Sequence, residues 1–200
     1  MKTLTSTSMA LLLAVAGQAH AATAIHCGKL VQVEPLKMLE RQTVLVDGNT
    51  ITAVQAGYSE AGPDDEVIDL KGATCMPGLM DMHVHLAHEF SAHTYMENLT
   101  LNGTDYAIRA VVNAEKTLMA GFTQVRELGD KSHGESIALR NAINRGLVKG
   151  PRVIAVGKSI ATTGGHADPT NGRKRDLMFD VGPEGGVING SVEARQAVRK

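Results

Sequence analysis

Two histidines one residue apart, His83 and His85, close a segment that reads Pro77-Gly78-Leu79-Met80-Asp81-Met82-His83-Val84-His85-Leu86. Side chains alternate along a strand, so Asp81, His83 and His85 are expected on one face and Met80, Met82, Val84 and Leu86 on the other. Two imidazoles at i and i+2 can each bring a ring nitrogen to one divalent ion, at roughly 2.0–2.1 Å for zinc. A bare His-x-His is weak evidence, because two surface histidines on an edge strand have the same spacing. The Pro-Gly turn before it, the apolar opposite face and the acidic residue beside the histidines favour a metal site at the mouth of a barrel strand.

Further polar residues fall where a second and a third strand would end. Arg126 could bind a substrate carboxylate bidentately, with Asp130 beside it in the following loop; an ion pair of Arg126 with Glu127 or Asp130 is the structural alternative. His166 follows Gly164-Gly165 in a long loop and is the candidate catalytic group there, the alternative being a loop histidine bonded to backbone. His88 and His93 read as loop histidines with a pocket role open to them. His26 and His133 read as solvated. Arg173-Lys174-Arg175 reads as a solvated loop tip, with recognition of an acidic substrate end as the sharper alternative.

The elements that would position these groups follow from periodicity. Residues 26–33 alternate like a strand, and Thr43 to Val54 holds two β-branched runs about Asp47-Gly48-Asn49, a hairpin signal. Residues 67–79 read as another strand pair, broken at Gly72 and at Pro77-Gly78. The first part is therefore expected to be a small β-sandwich-like unit over 22–76. From Leu79 the rhythm becomes strand–helix: strands at 79–86, 122–127 and 152–156, helices at 104–120 and 135–145, and a helix capped by Ser191. Gly121 and Gly146 stand as helix stops. This alternation argues for βα units on a parallel sheet over 77–200, an α/β fold. Three parallel strands leave an open edge, and a closed eight-stranded barrel takes about 250 residues. The reading is the opening part of a (β/α)8 TIM-type barrel, incomplete in this sequence, and residues 22–200 alone are expected to be inactive.

Composition narrows the partners. Lys and Arg number 20 against 21 Asp and Glu, with 3% aromatic residues. That balance gives neither the basic footprint nor the stacking platform of a nucleic-acid binder. Lys2, the apolar run Met9 to Gly17 and Ala19-His20-Ala21 form a signal-peptide pattern over 1–21, too short to span a bilayer. The mature protein is thus expected to be secreted or periplasmic and not membrane-bound. Cys27 and Cys75 could pair in an oxidising compartment, but their apolar, strand-like surroundings favour buried thiols. A homo-oligomer stays open.

The β unit followed by PGLMDMHVHL resembles the amidohydrolase superfamily, whose first barrel strand carries this His-x-His pair. Residues 123–130 (TQVRELGD), 150–153 (GPRV) and 162–166 (TTGGH) are similar to its Xaa-Pro dipeptidase branch, which also takes in ochratoxin-type amide hydrolases and, more distantly, imidazolonepropionases. The resemblance implies a hydrolase with two divalent metal ions, zinc by preference. Its metal set would be completed by a carboxylated lysine, two further histidines and an aspartate on later strands. A metal-activated water would attack the carbonyl of a small peptide or amide, and the aspartate would handle the proton. Only His83 and His85 carry over as ligands. Lys200 lies on a helical stretch and is not assigned. A cyclic-amide or imidazolone hydrolase is the runner-up, and a metal-free secreted binding protein on the same barrel is the reading from another class.

Overall fold

The computed structural model describes residues 23–60, 62–130 and 134–199. The signal segment, with His20, and the loop residue His133 lie outside the described residues. The chain divides between Pro77 and Gly78 into two units.

The first unit is one four-stranded mixed sheet. Its strands are β1 (Thr23–Val33), β2 (Leu36–Asp47), β3 (Thr50–Ala56) and β4 (Glu66–Cys75), in the order β3-β2-β1-β4. Strands β1, β2 and β3 form an antiparallel meander, and β4 joins β1 in parallel. The β2–β3 turn falls on Gly48-Asn49, with Gly48 at a φ of 55° that an L side chain rarely adopts. The expected second layer is not formed among the described residues, because all four strands are used edge to edge in a single sheet. Nor do residues 66–75 split at Gly72; they run as one strand, and the irregularity falls in the β1–β4 register between Cys27 and Lys29. There Gly28 lets the two backbones meet, since a Cβ would lie 2.1 Å from the Lys71 carbonyl oxygen.

Two readings are corrected in this unit. Cys27 and Cys75 form a disulfide rather than two buried thiols, because the parallel β1–β4 alignment brings their Cα atoms within 5.8 Å. His26 is not solvated. It is buried, its Nε2–H donates to the Ser59 carbonyl at 3.1 Å, and its ring packs on Tyr58.

The second unit is built on a parallel sheet in the order β5-β6-β7, with strands Leu79–Val84, Phe122–Glu127 and Arg152–Ala155. Helix α2 (Gly103–Met119) connects β5 to β6, and α3 (Glu135–Asn144) connects β6 to β7. Both helices end before glycines with positive φ, Gly121 at 96° and Gly146 at 69°. At the start of α2, the Asp105 carboxylate accepts from the Asn102 N–H at 2.8 Å. Its buried residues Tyr106, Ala110 and Ala114 recur every fourth position, and this stripe packs with Val125, Leu139 and Val153 into the core. A short helix, α1 (Thr94–Thr100), has no buried residue and no periodic signal to give it away. The last helix, α4 (Ser191–Val198), starts after Gly190 instead of being capped by Ser191; the Glu193 carboxylate accepts from the Asn189 N–H at 2.6 Å. Among the described residues, no helix is long and apolar enough to cross a membrane.

Candidate metal-binding active site

Strand β5 carries His83 and ends at Val84, so His85 sits at its C-terminal lip. The two imidazole rings lie 5.4 Å apart, edge to face. Asp81 Oδ1 accepts from the His83 N–H at 2.9 Å, tying the acidic residue to the backbone of the strand. Strict alternation does not hold here. The β5–β6 register shifts between Asp81 and Val84, and Asp81, Val84 and His85 all border one cleft of about 390 Å³ beside α2. Met80 and Met82, on the face expected to be apolar, are exposed.

The group that governs His85 is Glu127, the last residue of β6. It is 1% exposed. Its Oε1 accepts from His85 Nδ1 at 3.1 Å and from the Gly129 N–H at 3.2 Å, and its Oε2 accepts from the Leu86 N–H at 2.5 Å. Burial pushes the Glu127 carboxyl above its ordinary value, and the Leu86 and Gly129 amides and His85 pull it back down. With backbone donors on both oxygens, the shared proton belongs on His85 Nδ1. Nε2 is then left as the acceptor, which is the tautomer a metal ligand requires. The His88 ring packs 5.0 Å from that of His85 and 5.6 Å from Phe90. His83 and His85 are thus the residues that would supply two donors to a divalent ion. Among the described residues, no group of three or more His, Cys, Asp or Glu side chains is placed to hold an ion.

Of the remaining candidates, Arg126 lies on β6 itself, Asp130 and His166 on the loops that follow β6 and β7, and His93 at the start of α1. Arg126 is exposed, and its Nε donates to the Met82 carbonyl at 2.8 Å, so it lies along β5, the strand of His83. The alternative ion pair with Glu127 or Asp130 does not form among the described residues. Asp130 is buried, and both its oxygens are taken by the loop: Oδ2 by the Gly134 N–H at 2.9 Å and Oδ1 by the Ser136 N–H at 3.1 Å. Its carboxylate thus caps α3, where Gly134 has no side chain to do so. His166 is exposed in a run of turns. His93 sits at the start of α1, exposed. Lys174 pairs with Asp176 at 2.6 Å, and Arg173 lies over the Phe179 ring.

Two loop ties link the exits of β6 and β7: Asp130 N–H donates to the Gly157 carbonyl at 3.0 Å, and Ser159 Oγ–H donates to that of Leu128 at 2.7 Å. The sequence reading weighed Glu127 only as a partner for Arg126. Its signal was present: Val125 and Glu127 are two apart, so an acid stands on the buried face at the end of the strand next to the histidines.

The sequence profile described as "Amidohydrolase family" matches residues 74–200. The chain belongs to the amidohydrolase family. Its members are hydrolases acting on carbon–nitrogen bonds and are typically metal-dependent. A solved Xaa-Pro dipeptidase with methionine bound in its active site is 42% identical, with a TM-score of 0.82, over 90% of this chain and 44% of that one. A prolidase complexed with N-methylphosphonate-L-proline is 32% identical, with a TM-score of 0.74, over 90% of this chain and 43% of its own. The adenine deaminase of Ruegeria sp. (strain TM1040) is 33% identical over 126 residues, 62% of this chain and 19% of that protein. The amidohydrolase chain described here thus spans less than half the length of these solved structures and about a fifth of that curated relative. The dipeptidase likeness of the TQVRELGD and TTGGH segments agrees with the first two matches.

Proposed function

We propose that the whole protein is an exported, metal-dependent amidohydrolase that cleaves a peptide or amide bond beside a free carboxylate, with Xaa-Pro-like dipeptides as the leading substrates. The observation that carries this reading is the His83–His85 pair with His85 held by buried Glu127. Its solved relatives, a Xaa-Pro dipeptidase and a prolidase, point to the substrate class.

His83 and His85 would hold a divalent ion, zinc being well suited to imidazole, in a site of two ions. A bound ion would activate a water for attack and polarise the scissile carbonyl. Glu127 keeps the His85 ring oriented and its proton at Nδ1. The terminal nitrogens of Arg126 make no hydrogen bond among the described residues, which leaves its fork for the substrate carboxylate. Asp130 holds the loop that Arg126 leads into, and His166 meets the substrate from the loop after β7. The disulfide supports export, since such bonds persist in oxidising compartments.

The test is a substrate panel on the whole metal-loaded protein: dipeptides with C-terminal proline or methionine, N-acyl amino acids, and lactams. Turnover confined to the open-chain amides supports the reading. Preference for lactams would overturn the substrate class, and tight binding without turnover would overturn catalysis.

A further inference from the structure

The loop that carries His166 is organised around one buried carboxylate that belongs to neither the metal strand nor the core. Thr162, Thr163, Gly164 and His166 are exposed, whereas Asp168 is 5% and Thr170 3% exposed. Asp168 Oδ2 accepts from the Gly164 N–H at 2.8 Å. Its Oδ1 accepts from the Thr170 N–H at 2.8 Å and from Thr170 Oγ–H at 2.7 Å. The backbone repeats the tie: Asp168 N–H donates to the Gly165 carbonyl at 3.0 Å, and Asn171 Nδ2 donates to the same oxygen at 2.6 Å. One side chain therefore grips the chain on both sides of His166. An exposed loop has no apolar core of its own, so a charged hub with all its donors in place is what can hold one conformation. The Gly164 amide, followed by the two Thr170 donors, holds the Asp168 carboxyl below the usual aspartate range.

We propose that Asp168 is the positioning residue for His166, fixing the loop backbone from which the imidazole would reach the substrate. The proposal rests on the functional reading above for what His166 does, and on the loop geometry for how it is held. The experiment is a double-mutant cycle on the whole metal-loaded protein, using Asp168→Ala, Asp168→Asn and His166→Ala, with kcat/KM on a dipeptide, metal content and thermal unfolding read together. Loss of the carboxylate is expected to lower kcat/KM by on the order of tenfold to a hundredfold, to the level of His166→Ala, with metal content unchanged. Asn, which still accepts from Thr170 but opposes the Gly164 N–H, falls between. The double variant falls no further than His166→Ala alone. Full activity in Asp168→Ala, or losses that multiply in the double variant, would overturn the proposal. If the wild-type protein cleaves no amide, the functional reading fails by itself. The anchoring is then judged by amide exchange: faster exchange at Gly164 and Thr170 in Asp168→Asn supports it, and unchanged protection overturns it.

Discussion

Glu127 is where one side chain decides the chemistry of another. Its carboxylate reaches His85 from 42 positions along the chain and is anchored by two backbone amides of its own. Glu127→Gln removes the charge that orients His85 and is expected to weaken metal binding roughly tenfold to a hundredfold. A competition titration of the whole protein against a zinc chelator measures this, and an unchanged affinity would contradict the role assigned to Glu127. Glu127→Ala does something different. It strands the Leu86 and Gly129 N–H groups without acceptors, at about 1–3 kcal/mol each, read as a fall in unfolding midpoint. The His83–His85 pair was legible because its chemistry is local, two ring nitrogens two residues apart. Glu127 was not, because beside Arg126 it reads as half of a neighbouring ion pair. Asp168 escaped for a similar reason. Asp-Pro-Thr reads as an ordinary turn, and that its carboxylate also returns to Gly164 emerges only once the loop closes. Because its folded-state pKa is lowered, its stabilisation is present above the ordinary aspartate range and is lost as the pH falls through the folded value. Protection of the Gly164, Asp168 and Thr170 amides, taken relative to the intrinsic exchange rate at each pH, is therefore expected to fall on acidification, before that of the core strands. An equal pH-dependent loss of protection in an Asp168→Ala variant would contradict that cause.

At the scale of elements, periodicity located most of the second unit. Strand β6 and helices α2 and α3 lie where the 2.0 and 3.6 repeats and the glycine stops put them, because each buries one face against a shared core. Helix α1 has no such face, so nothing in its sequence repeats. Periodicity also says nothing about which strand pairs with which, and so four strands consistent with a sandwich form one mixed sheet. The same blindness hid the disulfide: two cysteines 48 residues apart meet only because β4 lies parallel to β1. Reducing that bond is expected to lower stability by about 2–4 kcal/mol. Thermal unfolding with and without reductant tests it, and coincident curves would show that the bond adds nothing. Asp130→Ala should cost about 1 kcal/mol through loss of the α3 cap. The diagnostic observation is local: exchange should rise at Gly134 and Ser136 first, and a change confined to catalysis would instead return Asp130 to the substrate.

At the scale of the molecule, the family and the parallel sheet follow from residues 74–200, whereas the reaction is an inference about the whole protein. Two imidazoles are fewer donors than the three protein ligands of a typical catalytic zinc site, so binding and turnover have to be measured on the complete polypeptide. The most direct measurement is the rate of Xaa-Pro dipeptide hydrolysis by the purified whole protein before chelation, after removal of divalent metal, and after zinc is restored. Hydrolysis is expected to disappear with the metal, return with zinc, and be absent throughout in His83→Ala. Hydrolysis that persists without metal, or that is indifferent to His83→Ala, would contradict the metal-dependent reading.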